Sequence, residues 1–184
     1  QYIGTAVDLL SSTARGAVPS ELIGDMRTGV RTLNAIVTEL LDFSRPMRLD
    51  RAMVDVNEVV SDVAARVVPD DAVCRLDLAR DLPAVRADGY KIRQVLENLL
   101  RNAVDALPPE GEDRALDLVT VPVSSGRCDG GVEVRVRDSG CGIPPENLAR
   151  IWEPFFTSKT HGTGLGLPIV RRIVEAHEGE ISVI

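Results

Sequence analysis

The chain has 184 residues, 44% hydrophobic and 27% charged, the proportions of a folded protein with one full core and a smaller appendage. A formal net charge of −7 argues against a general electrostatic grip on nucleic acid or an anionic membrane, though a local basic pocket for phosphates stays open. Cys74, Cys128 and Cys141 lack paired metal-ligand spacing, no apolar run approaches a membrane span, and no signal peptide is recognisable, so reduced thiols in a cytoplasmic setting are expected.

The chain opens on Gln1. It therefore reads as a fragment, with any membrane segment expected upstream. Ile3, Val7 and Leu10 suggest the tail of one helix. Pro19 and Ser20 start another, along which Ile23, Met26, Val30, Leu33, Val37 and Leu40 recur at alternating spacings of three and four. This heptad seam runs to "LLDFSRP", where Pro46 biases Arg45 out of helical geometry. Residues 1–46 thus read as a helical hairpin. Pairing with a second copy into a four-helix bundle is the preferred reading, and packing on the chain's own second domain is the alternative.

Beyond Pro46 the pattern is mixed. "MVDVNEVVSDVAARV" predicts a short strand, a cap at Asn57 and a helix; "VCRLDL" predicts a strand; Asp88 caps the long helix "GYKIRQVLENLLRNAVDAL". Two strands, "LDLVTVPV" and "VEVRVRD", flank the turn-rich "SSGRCDGG". A helix from about Leu167 to His177 and a final strand at "EISVI" follow. Without regular strand–helix alternation, this order predicts a two-layer α/β sandwich, helices on one face of a mixed sheet.

Three constellations carry chemistry. The long helix separates an apolar side (Ile92, Val95, Leu96, Leu99, Leu100, Ala103, Val104, Leu107) from a stripe of Lys91, Gln94, Asn98, Asn102 and Asp105. A solvated face explains most such stripes, but asparagines are poor helix formers. Their amide oxygens suit Mg²⁺, a hard cation that shares itself with nucleotide phosphates. Glu97 lies off the stripe, four residues from Arg101, and is expected in a surface ion pair.

In "VEVRVRDSG", Asp138 continues the side of Val132, Val134 and Val136. A carboxylate entering an apolar layer needs a donor, such as the exocyclic amino group of adenine, with Gly140 and Gly142 leaving room for a flat ring; the alternative is an Asp capping its own turn.

The third constellation is "IWEPFFTSKTHGTGLGLPIV". Trp152, Phe155 and Phe156 suggest a loop anchored by aromatic packing and free beyond it, or else a local satellite core. Lys159 can reach a terminal phosphate, or stand in solvent. Pro168 is tolerated only in a helix's first turn, which puts Gly162, Gly164 and Gly166 at the helix mouth, where bare amides cradle phosphates.

In this order and spacing, "NLLRN", "DSGCGIP", "WEPFFTSK" and "GTGLGL" resemble the asparagine, first glycine, phenylalanine and second glycine boxes of the histidine-kinase ATP-binding domain. The likeness spans residues 53–184, and "ELLDFSRP" resembles the end of that family's dimerisation and phosphoacceptor domain. The resemblance implies a Bergerat-type α/β sandwich for ATP and Mg²⁺. It places Asn98 and Asn102 at the metal and phosphates, with Lys159 as the third catalytic candidate. Asp138 goes to adenine beside Gly140, Gly142 and Ile143, while Gly162, Thr163, Gly164, Leu165, Gly166 and Leu167 line the phosphates. It also implies a homodimer through the hairpin and a response-regulator receiver domain as partner. The only histidines, His161 and His177, lie outside the hairpin, so the acceptor histidine is expected before Gln1 and the family's last strand after Ile184. Two rivals remain: an ATP-hydrolysing clamp of the gyrase type, which would carry a glutamate at the position of Asn98, and a nucleotide-binding module without phosphotransfer.

Overall fold

The computed structural model describes Gly24, Gly29, Val30 and residues 47–109, 114–123, 131–159 and 162–184. The chain divides into two compact units, Gln1–Pro46 and Met47–Ile184. In the first, Gly24, Gly29 and Val30 are helical; the expected seam, hairpin and pairing lie outside the described residues, as do Cys128 and His161.

The second unit begins with β1 (Ala52–Val54) and α1 (Val56–Val67), followed by β2 (Val73–Leu78) and β3 (Val85–Ala87). The long helix α2 (Gly89–Ala106), β4 (Ala115–Val123), β5 (Gly131–Asp138), a 3-10 turn at Pro145–Asn147 and α3 (Gly166–Ala176) complete it. The strands form two sheets. β2 runs parallel to β4, which pairs antiparallel with β5, and β1 and β3 make a separate antiparallel ribbon. The expected mixed sheet is therefore confined to three strands, and β3 was not anticipated because three residues carry too little alternation to read.

Spacings of three and four within α1 put Val56, Val59, Val60, Val63 and Ala64 on one buried face. They form the core with Leu96 and Leu100 of α2 and Leu118 of β4, and the β5 valines Val132, Val134 and Val136 pack against it. Burying aliphatic side chains of this kind stabilises by about 1.5–3 kcal/mol each before chain entropy is counted. With one face of α2 used in this way, α3 packs on another.

Two local expectations are corrected. The cap of α1 is Asp55, not Asn57: Asp55 has extended geometry (φ −80, ψ 108) and its carboxylate accepts the N–H groups of Asn57 at 2.9 Å and Glu58 at 3.3 Å. Asn57 is already inside the helix, and its amide turns inward. Its Nδ2 donates to Ala79 O (2.8 Å), while its Oδ1 accepts the Thr120 hydroxyl (2.7 Å), whose oxygen accepts Ala79 N–H (3.0 Å). Thr120 is 2% exposed, so this closed set of bonds removes what would otherwise be a costly orphan hydroxyl. Second, the "EISVI" segment forms no strand. An extended segment is held by ladder hydrogen bonds, and no described strand pairs with it.

The predicted cap of α2 is present: the Asp88 carboxylate accepts Lys91 N–H at 3.1 Å and Asp50 N–H at 3.0 Å. The far end of α3 is tied to the same place. Asp88 N–H donates to His177 Nε2 (3.0 Å), which requires the proton on Nδ1, the atom 2.8 Å from Ile173 O. This bond, between residues 89 positions apart, joins the C-terminal end of α3 to the start of α2. The opposite end of α3 is thereby directed along α2 toward Asn98.

Candidate functional site

Three segments meet α2 at successive turns of its polar stripe. Asn98 and Asn102 are half-buried and Asp105 is exposed. A Cβ added to Gly166 would stand 3.5 Å from Asn98 Oδ1, so the first turn of α3 lies against that amide. Leu165 at the cap gives α3 no side-chain hydrogen bond, which leaves the first N–H groups of the helix for an anion. Pro168 sits in the first turn, as its missing N–H requires.

The glycines before α3 are held by the phenylalanine-rich loop. Gly164 has φ +68, and a Cβ there would fall 2.4 Å from the Phe155 carbonyl carbon; Phe155 N–H donates to Gly164 O at 3.0 Å. Phe155 also has φ 68, an uncommon conformation for an aromatic residue. It is 60% exposed, so the expected three-residue anchor is reduced to two. Trp152 and Phe156 are half-buried, with Arg171 5.9 Å and Arg150 4.3 Å from the respective ring centres. Within the glycine segment, Thr163 Oγ1 accepts Leu165 N–H (3.3 Å), Leu165 is fully buried and Leu167 partly so.

Lys159 is neither free in solvent nor pointed at an empty space. Its Nζ donates to Asn102 Oδ1 at 3.0 Å and to Asp105 Oδ2 at 2.8 Å. In the sequence Asp105 is one member of the polar stripe; its position three residues after Asn102, on the same helical face, is the signal that marks it.

Asp138 stands on the valine side, opposite Leu116, but it is exposed rather than enclosed by an apolar layer. Strand β5 ends here, and Oδ1 accepts Gly140 N–H at 2.9 Å, the turn-capping geometry that was the alternative. Gly140 is bare for a different reason from the one expected. A Cβ there would fall 2.5 Å from Ala106 O, the carbonyl that accepts Cys141 N–H. Gly142, at φ +70, faces open space, and Ile143 is 40% exposed. Beside this turn lies a cleft of about 690 Å³ between Asp105–Pro109 and Ser139–Cys141.

Glu97 pairs at 3.3 Å with Arg66 of α1, not with Arg101. Its carboxylate is thus held on the α1 side of the helix. Among the described residues no group of three or more His, Cys, Asp or Glu side chains could hold a metal, so a cation at this site would draw on amide oxygens, a single carboxylate or the phosphates of its own ligand. Asn102 Oδ1 fits that use, since it already accepts from a cation. No helix among the described residues is long and apolar enough to cross a membrane.

Residues 87–184 match the family described as histidine kinase-, DNA gyrase B-, and HSP90-like ATPase. The sensor histidine kinase ZraS of Escherichia coli O157:H7 is 38% identical over 156 residues, 82% of this chain and 32% of the relative. The signal transduction histidine-protein kinase AtoS of Escherichia coli strain K12 is 32% identical over 181 residues, 96% of this chain and 29% of the relative. The chain therefore spans about a third of the length of these curated relatives. Among solved structures, full-length ShkA in complex with AMPPNP superposes with a TM-score of 0.76 at 29% identity, covering 95% of this chain and 37% of that one. Histidine kinase ThkA in complex with the response regulator TrrA gives 0.67 at 25% identity, covering 95% and 51%. With more than half its length matched and its fold shared with histidine-kinase catalytic domains, the chain belongs to the histidine kinase-, DNA gyrase B- and HSP90-like ATPase family and carries a histidine-kinase ATP-binding domain.

Proposed function

We propose that this chain is the ATP-binding part of a two-component histidine kinase, holding Mg·ATP on the polar stripe of α2. The observation that carries the reading is convergence. Gly166 stands at Asn98, Lys159 at Asn102, and Gly140 at Ala106, three consecutive turns of one helix. In this reading the amides at the mouth of α3 and the segment Gly162–Leu167 receive the phosphates. Asp138 turns from Gly140 N–H to the exocyclic amino group of adenine, beside Gly142 and Ile143. Asn98 and Asn102 present amide oxygens to the cation, and Lys159 moves to the terminal phosphate. Magnesium, when bound, offsets phosphate charge for in-line transfer.

The phosphoryl acceptor is a histidine outside these 184 residues, and a response-regulator receiver aspartate takes the group next, with the protein acting as a homodimer through residues 1–46 in the cytoplasm. Hydrolysis by a gyrase-type clamp is disfavoured, because Asn98 cannot take a proton from water and Glu97 is engaged with Arg66.

Calorimetric titration with Mg²⁺ and a non-hydrolysable ATP analogue is expected to give saturable heat. Asn102→Ala should weaken binding by about 10- to 100-fold, the loss of one charge-assisted contact, without moving the thermal midpoint. Absence of heat with the wild-type chain would overturn the reading. In a longer form that includes the acceptor histidine, ATP should yield an acid-labile phosphoprotein.

A further inference from the structure

We infer that Asp105 is a positioning residue that parks the Lys159 ammonium on the Asn102 amide oxygen, the seat of the metal; the inference rests on the nucleotide-site reading above. Three observations carry it. Lys159 Nζ lies 2.8 Å from Asp105 Oδ2 and 3.0 Å from Asn102 Oδ1, so one ammonium serves both oxygens. Asp105 follows Asn102 by three residues, which puts the two side chains on one face of α2. The loop is also preset for the contact: Thr157 Oγ1 accepts Lys159 N–H at 3.1 Å, and Phe155 N–H to Gly164 O closes its base.

A long lysine gives up about 1.5–2 kcal/mol of rotamer freedom when it is fixed, about what a single acceptor offsets. The carboxylate is what makes the parked position favourable. An ammonium and a divalent cation repel each other when both approach one amide oxygen, so loading the site must lift Lys159 away, freeing it for the phosphates. Asp105 thereby opposes metal–nucleotide binding through Lys159. The pair is partly exposed, 40% for Lys159 and 56% for Asp105, and solvent screening keeps its effect small.

The test compares the wild-type chain with Asp105→Asn. Binding of the Mg²⁺ complex of a non-hydrolysable ATP analogue should tighten by about two- to fivefold in the variant. In the nucleotide-free protein, the ¹⁵N signal of the Lys159 ammonium, assigned by its loss in Lys159→Met, should be protected from exchange in wild type and lose that protection in Asp105→Asn. An unchanged thermal midpoint excludes a folding defect at this exposed position. Equal or weaker binding by Asp105→Asn, or equal protection in both proteins, overturns the inference. A wild-type chain that binds no analogue removes the nucleotide reading and the competition with it, while the NMR comparison still decides whether Asp105 holds Lys159.

Discussion

The two faces of α2 solve different problems with the same backbone. On one, Leu96 and Leu100 are 2% and 0% exposed and meet α1 and the sheet. Their partners are numerous, non-directional and permanent. On the other, Asn98, Asn102 and Asp105 meet a glycine, a lysine from 57 residues away and solvent. The polar contacts there are directional, and the proposed function exchanges them for contacts to the ligand. A helix can thus be a fixed structural member on one side and a replaceable set of contacts on the other.

The comparison is broken most directly at Leu100. Truncation to Ala at a fully buried site should cost about 2–5 kcal/mol, read as a lower urea midpoint; a loss below about 1 kcal/mol would mean that this face is not the permanent one. Asp88 sharpens the comparison at the start of the helix. Burial pushes its carboxyl upward, but the N–H groups of Asp50, Lys91 and Tyr90 and the Lys91 charge outweigh that and hold it below the usual carboxylate range. Because the folded value is depressed, its contribution is complete above the unfolded value of about 4 and is lost as pH falls through the lower folded value. Asp88→Ala should therefore cost about 1 kcal/mol near neutrality, and the gap from wild type should close on acidification below about pH 4. A gap that widens in acid would contradict this assignment. The smallest effect is expected at Glu97, whose ion pair with Arg66 is 33% and 55% exposed. Glu97→Gln should change stability by about 0–1 kcal/mol and leave nucleotide-analogue affinity within about twofold. A larger loss of affinity would extend the exchangeable surface beyond the stripe.

Much of the fold was legible. The helical period of "GYKIRQVLENLLRNAVDAL" separates Leu96 and Leu100 from Asn98 and Asn102, Asp88 reads as a cap, and Pro168 restricts where α3 can begin, because each is a property of a few adjacent residues. The errors fall where two candidates compete locally or a partner is distant. Asp55 and Asn57 are both capping residue types, and only backbone geometry separates them. Glu97 has Arg101 one turn away, yet it takes Arg66, which is distant in sequence. "EISVI" has strand composition, but composition supplies no ladder partner.

The candidate site was legible as four motifs and illegible as a place. Nothing in "TSK" indicates that Lys159 reaches Asn102 and Asp105, and nothing in "DSG" indicates that Gly140 must lie under the Ala106 carbonyl. By itself the sequence determined the periodic faces, the caps and the bare amides, since these follow from side-chain spacing and the stereochemistry of single residues. Only the tertiary structure decided which face of α2 receives which segment and which cation sits on Asn102. Those choices depend on contacts between residues tens of positions apart, such as Asp88 with His177, whose pairing no local rule encodes.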